Sequence, residues 1–473
     1  MGTISSAFSL MSGALDADQS ALSIVANNVA NANTPGYTEE TPNWQQNAPL
    51  EINGVSLGAG VTETGATSLR DRVLEERLDQ QQQLASASGT RLTALDGVQA
   101  LFTPDSGSTA SAAGDIGSDM TSFFSSFSSL EANPTDNALR QQVLSSAATL
   151  AGDVSNAAAS LNAQRSALDQ EASGVTSQVN SLTGAIAQLN QQIQSTSPDA
   201  DAGTLEDQRQ QDLSQLSQLI GINQIKTENN GLSITTTSGQ LLVSEGASYQ
   251  LTTGTAGGVT HFFVGTTDVT SQLAGGGGEL GGYLTARDQD IPGVLSSLDQ
   301  LAYSVSTQVN SLNNGGTDLD GASGTTANPL YIFNQPTAVA GSAASMNVVM
   351  TDPNQIAAAG LGQGTGDNTN AAAMANLANQ SIVSGLSPTN YFSNFVSTLG
   401  ATVSGVQAEN TAQNASVTQL QTQNNALSSV SLDDEASSMT TLERSYQAAS
   451  QVFTMLNTIM AAALNLGDQT TVS

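Results

Sequence analysis

Carboxylates are the only abundant titratable groups in the chain: 41 Asp and Glu stand against 10 Lys and Arg, one histidine and no cysteine. The chemistry open to such a set is that of paired acids, as in glycoside hydrolysis, where one carboxyl protonates the leaving group and a second attacks or activates water. The closest acidic clusters are Glu75-Glu76 and Asp433-Asp434-Glu435. Each falls on the surface or in the first turn of an expected helix, where solvation or the helix dipole accounts for it. No catalytic pair is assigned, and the chain is read as a non-enzyme. His261 alone, without cysteine, cannot build a site needing two imidazoles or a thiolate, which removes zincins, Cys-His hydrolases and zinc fingers. Gly276-Gly277-Gly278-Glu279-Leu280-Gly281 fits the glycine spacing of a dinucleotide loop but lacks a βαβ setting, so it reads as a connector. Thr317-Asp318-Leu319-Asp320-Gly321 lacks the spacing and the closing Glu of a calcium loop. No cofactor or metal is expected.

The net charge, 10 − 41 = −31, excludes an electrostatic nucleic-acid binder, and Lys226 and the scattered arginines build no basic patch for an anionic membrane. No apolar run approaches the roughly 18 to 20 residues needed to span a bilayer, and the N-terminus lacks the positive region of a secretory signal. No membrane span and no cleaved general signal are expected, so export would use another route. Hydrophobic residues make up 38% and aromatics 4%, which suits long slender helices with small-residue seams rather than one large globule.

Such helices must present whatever the chain binds. From Ser5 to Ala32, Phe8, Leu15, Leu22 and Val29 recur every seven residues, with Met11 and Val25 on the neighbouring line, which Asp18 interrupts. At the other end Leu432, Met439, Tyr446, Phe453 and Met460 recur every seven, with Leu442, Ala449, Leu456 and Ala463 three residues on. Both ends therefore read as amphipathic coiled-coil-like helices. Ser431 is the expected N-cap and Gly467 the expected stop of the second. Two such stripes flanking a long middle can pair with each other and with neighbouring copies. Between them helices are expected over 69–102, 116–130, 136–195 and 203–219, with Pro134 and Pro198 as separators. A small β-rich insertion is expected over 222–273, with helix again from Tyr283 to Leu312. An irregular region from Asn313 to Thr369 holds strand-like Tyr331–Phe333 and Ser345–Met350, before helices over 371–378 and 391–427. The expected fold is mainly α, elongated and multi-domain, with paired terminal helices as an inner domain, a helical-bundle second domain and the β-rich insertion. The expected parts are 1–60, 61–221, 222–279, 280–428 (irregular over 313–370) and 429–473.

The run Ala26-Asn27-Asn28-Val29-Ala30-Asn31-Ala32-Asn33-Thr34-Pro35-Gly36-Tyr37-Thr38 resembles the N-terminal signature of bacterial flagellar axial proteins, the rod, hook and hook-associated proteins. Asn27, Asn28 and Asn31 offer amides at a helix end, and Pro35-Gly36 turns the chain out. Within that family the hook-associated proteins that join hook to filament are the most similar. Leu57-Gly58-Ala59-Gly60-Val61 with Arg70 and Arg72, Leu205-Glu206-Asp207-Gln208-Arg209, Gly281-Gly282-Tyr283-Leu284 with Arg287-Asp288, Asp352-Pro353-Asn354-Gln355, and Tyr446-Gln447-Ala448 all resemble its blocks. Glu39-Glu40 departs from a basic-polar pair usual after the tyrosine.

The resemblance implies a structural subunit exported through the flagellum's own type III apparatus and placed outside the cell at the hook–filament junction. Its terminal helices would form the inner tube wall. Implied partners are further copies in a ring, the hook protein, a second junction protein, and an export chaperone on the C-terminal helix. The expected assembly residues are Phe8, Met11, Leu15, Leu22, Val25, Val29, Asn27, Asn28, Asn31, Pro35, Gly36, Tyr37, Leu432, Met439, Leu442, Tyr446, Phe453, Leu456 and Met460. A hook or rod protein stands second, and a secreted glycan-binding or glycan-cleaving protein third, since Trp44 is the only tryptophan available for sugar stacking.

Overall fold

The computed structural model describes residues 2–52, 55–103, 116–197 and 201–468; Pro198 lies outside them. The N-terminal stripe folds as one helix, α1 (Gly2–Asn31), ended by the Pro35-Gly36 turn. The C-terminal stripe forms α12 (Leu432–Asp468), with the Ser431 hydroxyl accepting from the Asp434 amide. Gly467 does not stop that helix, which continues through it to Asp468.

A polar segment that carried no strand expectation follows α1. Strand β1 (Glu40–Gln46) pairs antiparallel with β4 (Val61–Ser68), and a small hairpin, β2 (Leu50–Ile52) with β3 (Val55–Leu57), extends from their far end. This ribbon lies along α1, where a Cβ on Gly60 would come within 3.5 Å of the Leu10 side chain.

The body is built on helices whose boundaries follow their caps. The Asp71 carboxylate accepts from Val73 and Leu74 and starts α2 (Arg72–Leu101), three residues after the position the periodicity suggested. After α3 (Ile116–Ala132), Asp136 caps α4 (Asn137–Thr196), a 60-residue helix about 90 Å long at 1.5 Å per residue. It runs unbroken through Gly152, Gly174 and Gly184. Its first half buries Val143, Leu150, Val154 and Leu161 in one core, shared with the three phenylalanines Phe123, Phe124 and Phe127 of α3. Its second half buries Val175, Val179 and Ile186 in another. Next comes α5 (Thr204–Leu219).

The insertion is two antiparallel sheets. One is β5 (Ile222–Lys226), β6 (Leu232–Thr236), β7 (Leu241–Ser244) and β8 (Ala247–Ser248) in sequence order; the other is β9 (Leu251–Ala256), β10 (Val259–Val264) and β11 (Thr267–Asp268). A short helix, α6 (Thr270–Leu273), leads to the glycine run. That run is a close-packed connector: a Cβ on Gly278 would lie 2.4 Å from the Ile220 nitrogen. Helix α7 (Gly278–Thr285) passes through a π-helical turn (Ala286–Asp290) into α8 (Ile291–Gly315).

The two strand-like runs expected in 313–370 are not strands. Residues 342–345 form a helical turn, α9 (Ser342–Ser345), and only an isolated bridge joins Phe333 to Val348. A side chain holds part of the peptide groups there: buried Asn310 accepts from the Ile332 and Phe333 amides, each 3.0 Å, and donates to the Phe333 carbonyl at 2.9 Å, while the Ile332 carbonyl accepts from the Val349 amide at 3.0 Å. Helix α10 (Thr369–Asn376) and the long α11 (Pro388–Ser428) complete the body. The C-terminal half of α11 lies on α2 through polar contacts, with Asn410 donating to the Ala85 carbonyl and the Ser88 hydroxyl, both 3.1 Å.

Scarce cations serve as internal clamps. Arg91 is bidentate on Asp290 at 2.8 and 2.9 Å, and buried Arg140 donates to the carbonyls of Pro134, Asn354 and Ile356. Arg287, also buried, joins Asp169, Asp288 and the Thr260 carbonyl, tying β10 to α4. His261 sits in β10 and pairs with Asp268 at 2.7 Å, a strand contact rather than a ligand position. The Asp318 carboxylate accepts from the amides of Asp320 and Ala322, closing its own loop. Among the described residues there is no group of three or more His, Cys, Asp or Glu placed to hold a metal, and no helix long and apolar enough to cross a membrane.

Candidate assembly interface

Helices α1 and α12 pack on each other in antiparallel sense. The Phe8 and Phe453 rings pack at a 49° tilt with centroids 4.3 Å apart, and at the opposite end Asn28 meets Glu435, 407 residues away in sequence. The inward line of α12 is Met439, Leu442, Ala449, Phe453, Leu456 and Met460, all half-buried. On α1, Phe8, Met11, Leu15 and Leu22 are half-buried and Val25 is buried. Three expected positions face out: Val29 is 39% exposed, Leu432 52% and Tyr446 39%. Leu432 lies in the first turn, before the seam closes, and Val29 lies one residue past the inward-facing Asn28.

The pair is only partly covered. In 1–68 and 429–468 the buried apolar side chains among the described residues are Ala17, Ala21 and Val25. On the outer side of α12 a second apolar line, Val452, Met455 and Ile459, is 43–62% exposed. From Ser445 to Gly467 α12 carries no charged residue, and neither does α1 before Asp16. Single exposed apolar residues are ordinary on a protein surface, whereas an apolar line in a long charge-free stretch is not.

The asparagines divide their work. Asn28 is 1% exposed and fills all four hydrogen-bonding positions of its amide. Nδ2 donates to the Glu40 carbonyl and to Glu435 Oε1, both 2.8 Å; Oδ1 accepts from the Tyr37 hydroxyl at 2.8 Å and the Glu40 amide at 3.0 Å. Asn27 is exposed and donates to the Tyr37 oxygen at 3.3 Å, while Asn31 donates back to the Asn27 carbonyl and Oδ1 at 3.0 and 2.9 Å. Pro35 and Gly36 are exposed at the turn, Gly36 with φ +78, and Tyr37 is half-buried beneath it.

The chain then passes from the helix pair to the body through a charged joint. The Thr38 amide donates to Asp207 Oδ2 at 3.1 Å and the Glu39 amide to the Ser428 carbonyl at 2.9 Å. The Ser68 amide and hydroxyl donate to Asp201 at 2.7 and 3.0 Å. Arg70 pairs with Asp207, and Arg72 with Glu206 at 2.7 Å, while Arg209 donates to Asn190 and to the Asn230 carbonyl. The two blocks that the sequence marked separately, Arg70-Arg72 and Glu206-Asp207-Arg209, thus form one cluster. Nothing in their spacing, 136 positions apart from Arg70 to Glu206, announced the contact.

Carboxylates crowd this joint. Burial, then the charges of Asp201 and Asp207, raise Glu40 above the ordinary range; burial raises Glu435 and Asp207. Burial and the surrounding carboxylates push the Tyr37 hydroxyl well up. Burial would raise Asp201 too, but hydrogen bonds from Gly203 and Ser68 hold it low. Behind them burial lifts Glu75 to about 7 and Asp79 to about 6, and lowers Arg209 to about 10. These groups brace one another, and Arg70, Glu75, Glu206 and Arg209 line a shallow cavity with Lys226.

Comparison with known proteins points the same way. Residues 107–327 match the family described as flagellar hook-associated protein FlgK helical domain, and residues 11–38 match the flagella basal body rod protein family. The chain is 25% identical to flagellar hook-associated protein 1 of Salmonella typhimurium, over 96% of this chain and 98% of that protein. It is 26% identical to the protein of the same name from Bacillus subtilis, over 96% of each. The solved flagellar hook junction protein FlgK of Burkholderia pseudomallei superposes with a TM-score of 0.65 at 19% identity, covering 75% of this chain and all of that one.

Proposed function

We infer from the likeness to flagellar hook-associated protein 1 over nearly the whole chain, and from the shared fold, that the chain is a structural subunit of the bacterial flagellum joining hook to filament. One observation on this molecule carries the reading: its two ends, at opposite extremes of the sequence, form a paired helical unit whose charge-free stretch over 445–467 leaves the apolar line Val452, Met455 and Ile459 exposed. The inner unit comprises 1–60 and 429–473, the helical body 61–221 and 280–428, and the outward insertion 222–279. Copies assemble side by side through the terminal pair, against the hook protein on one side and a second junction protein on the other. The C-terminal helix, with its seam open before assembly, suits an export chaperone. The protein acts outside the cell and by position rather than by catalysis.

Electron microscopy of cells lacking the gene, with an assay for flagellin in the medium, tests this. Hooks without filaments and flagellin lost to the medium are expected. Absent hooks would make it a hook or rod subunit, the second reading that the match over 11–38 leaves open. Intact filaments would overturn both.

A further inference from the structure

A regular heptad seam does not fix its own register, because a slip of seven residues, about 10 Å along the axis, brings equivalent apolar positions back into contact. The seam of α12 is close to this kind: apart from the small Ala449, its residues Met439, Leu442, Phe453, Leu456 and Met460 differ little in size, and α1 offers Phe8, Met11, Leu15 and Leu22 against them. Toward the chain start α12 cannot slide without running off its capped end at Ser431. In the other direction the apolar residues alone permit a slip that sets Phe8 against Met460 and Asn28 against Leu442.

Asn28 forbids it. In the observed register its two N–H groups meet Glu435 Oε1 and the Glu40 carbonyl, and its oxygen meets the Tyr37 hydroxyl and the Glu40 amide. Shifted by one heptad, a buried donor would face the Leu442 side chain and Glu435 would lose its bond, leaving two desolvated polar groups unpaired. No other side chain of this length offers two donors and two acceptors; aspartate has the same shape but no donor. We propose that Asn28 is the register key of the terminal helix pair, admitting only a C-terminal helix that offers an acceptor at the position of Glu435. Glu435 is 5% exposed and its other oxygen, Oε2, makes no hydrogen bond, so the pair with Asn28 is the one side-chain contact that holds it. The consequence for assembly rests on the function proposed above; the pairing itself does not.

The cysteine-free chain allows a direct test in the purified full-length protein. Two double-cysteine versions, Phe8→Cys with Phe453→Cys and Phe8→Cys with Met460→Cys, report the native and the slipped register by intramolecular disulfide yield under mild oxidation. The native pair is expected to form at least ten times faster than the slipped pair. Asn28→Asp, which sets a carboxylate against Glu435, should bring that ratio down toward one, and adding Glu435→Gln, whose amide donates to the new aspartate, should restore much of it. Glu435→Gln alone should keep the native preference, because its oxygen still accepts. A ratio unchanged by Asn28→Asp would overturn the proposal, and so would a loss that Glu435→Gln does not reverse. Both readouts are independent of filament growth, so a failed key and a failed junction assignment are told apart.

Discussion

Replacing Arg70 by methionine should unfasten the terminal unit from the body without unfolding the body. The Arg70 side chain is 6% exposed, and the carboxylates it faces are nearly as covered: Glu206 1%, Glu75 9% and Asp207 12% by side chain. Methionine fills a similar volume but leaves three buried carboxylates facing one another, the situation in which removing one partner of a buried pair costs about 3–5 kcal/mol. The cost falls on the joint, because Asp207 also accepts the Thr38 amide and holds the chain as it leaves α1. Hydrogen exchange reads it locally. At 1.4 kcal/mol per factor of ten, the amides of 37–40 should exchange about 10²- to 10³-fold faster. Amides of α4 around Val154, deep in the first core, should keep their rates. Lysine at the same place keeps the charge but not the fork and should give an intermediate acceleration. Unchanged exchange at 37–40, or an equal acceleration in both regions, would refute the idea that this cluster is the joint.

The pH dependence of the same region has a definite sign. Glu75 is raised by burial from 4.5 to about 7, so the folded chain keeps a proton that the unfolded chain releases, and stability present below about 4.5 is lost as pH rises through 7. Glu75→Gln should therefore stabilise the chain against urea at pH 8, by up to about 3 kcal/mol for 2.5 units at 1.36 kcal/mol each, and change little at pH 4. Phe453→Asp removes the ring packed against Phe8 and sets a charge in the seam. It should leave the thermal melt of the body in place while abolishing incorporation at the hook tip, scored by microscopy and flagellin leakage. Arg287→Met deletes the contacts from α7–α8 to Asp169 and the Thr260 carbonyl, so the β9–β10 hairpin should be cut faster in limited proteolysis while α2–α4 stay resistant.

Where the sequence carried a period, the fold could be read from it. Helices α3, α4 and α5 start and stop within two residues of their expected places, because apolar residues recur at three and four spacing and Asp136 announces the start of α4. The β1–β4 ribbon left no such trace. Glu40-Thr41-Pro42-Asn43-Trp44-Gln45-Gln46 has no apolar face, since it packs on α1 by one edge and leaves most of its side chains in solvent. In the opposite sense, Tyr331–Phe333 looked like a strand because it is apolar and short, but its peptides are shared between Asn310, which takes the Ile332 and Phe333 amides, and a single bridge to the 347–349 segment. The two terminal heptad lines and the pairing of their helices were legible in the sequence. The hydrogen bond of Asn28 to Glu435 and the pairing of Arg70 with Asp207 were not, because each joins residues more than a hundred positions apart.

That division follows from how stability is shared along the chain. The body has two apolar cores, and its long helices would stand without help from the ends. The terminal unit fully buries three small apolar side chains, half-buries the seam around Phe8 and Phe453, and is fastened besides by hydrogen bonds, each worth about 1 kcal/mol net when made and more when left broken. Such contacts specify one arrangement while adding little free energy, so a free chain holds its ends in the correct register but weakly. What remains to be covered is the outer line Val452, Met455 and Ile459. At about 1.5–3 kcal/mol for each large side chain fully removed from water, and with about half of each already covered, covering it with neighbouring copies would contribute on the order of 2–5 kcal/mol per subunit before the entropy of ordering is set against it. On the proposed function, covering this line with neighbouring copies would therefore complete the burial that the terminal pair leaves unfinished.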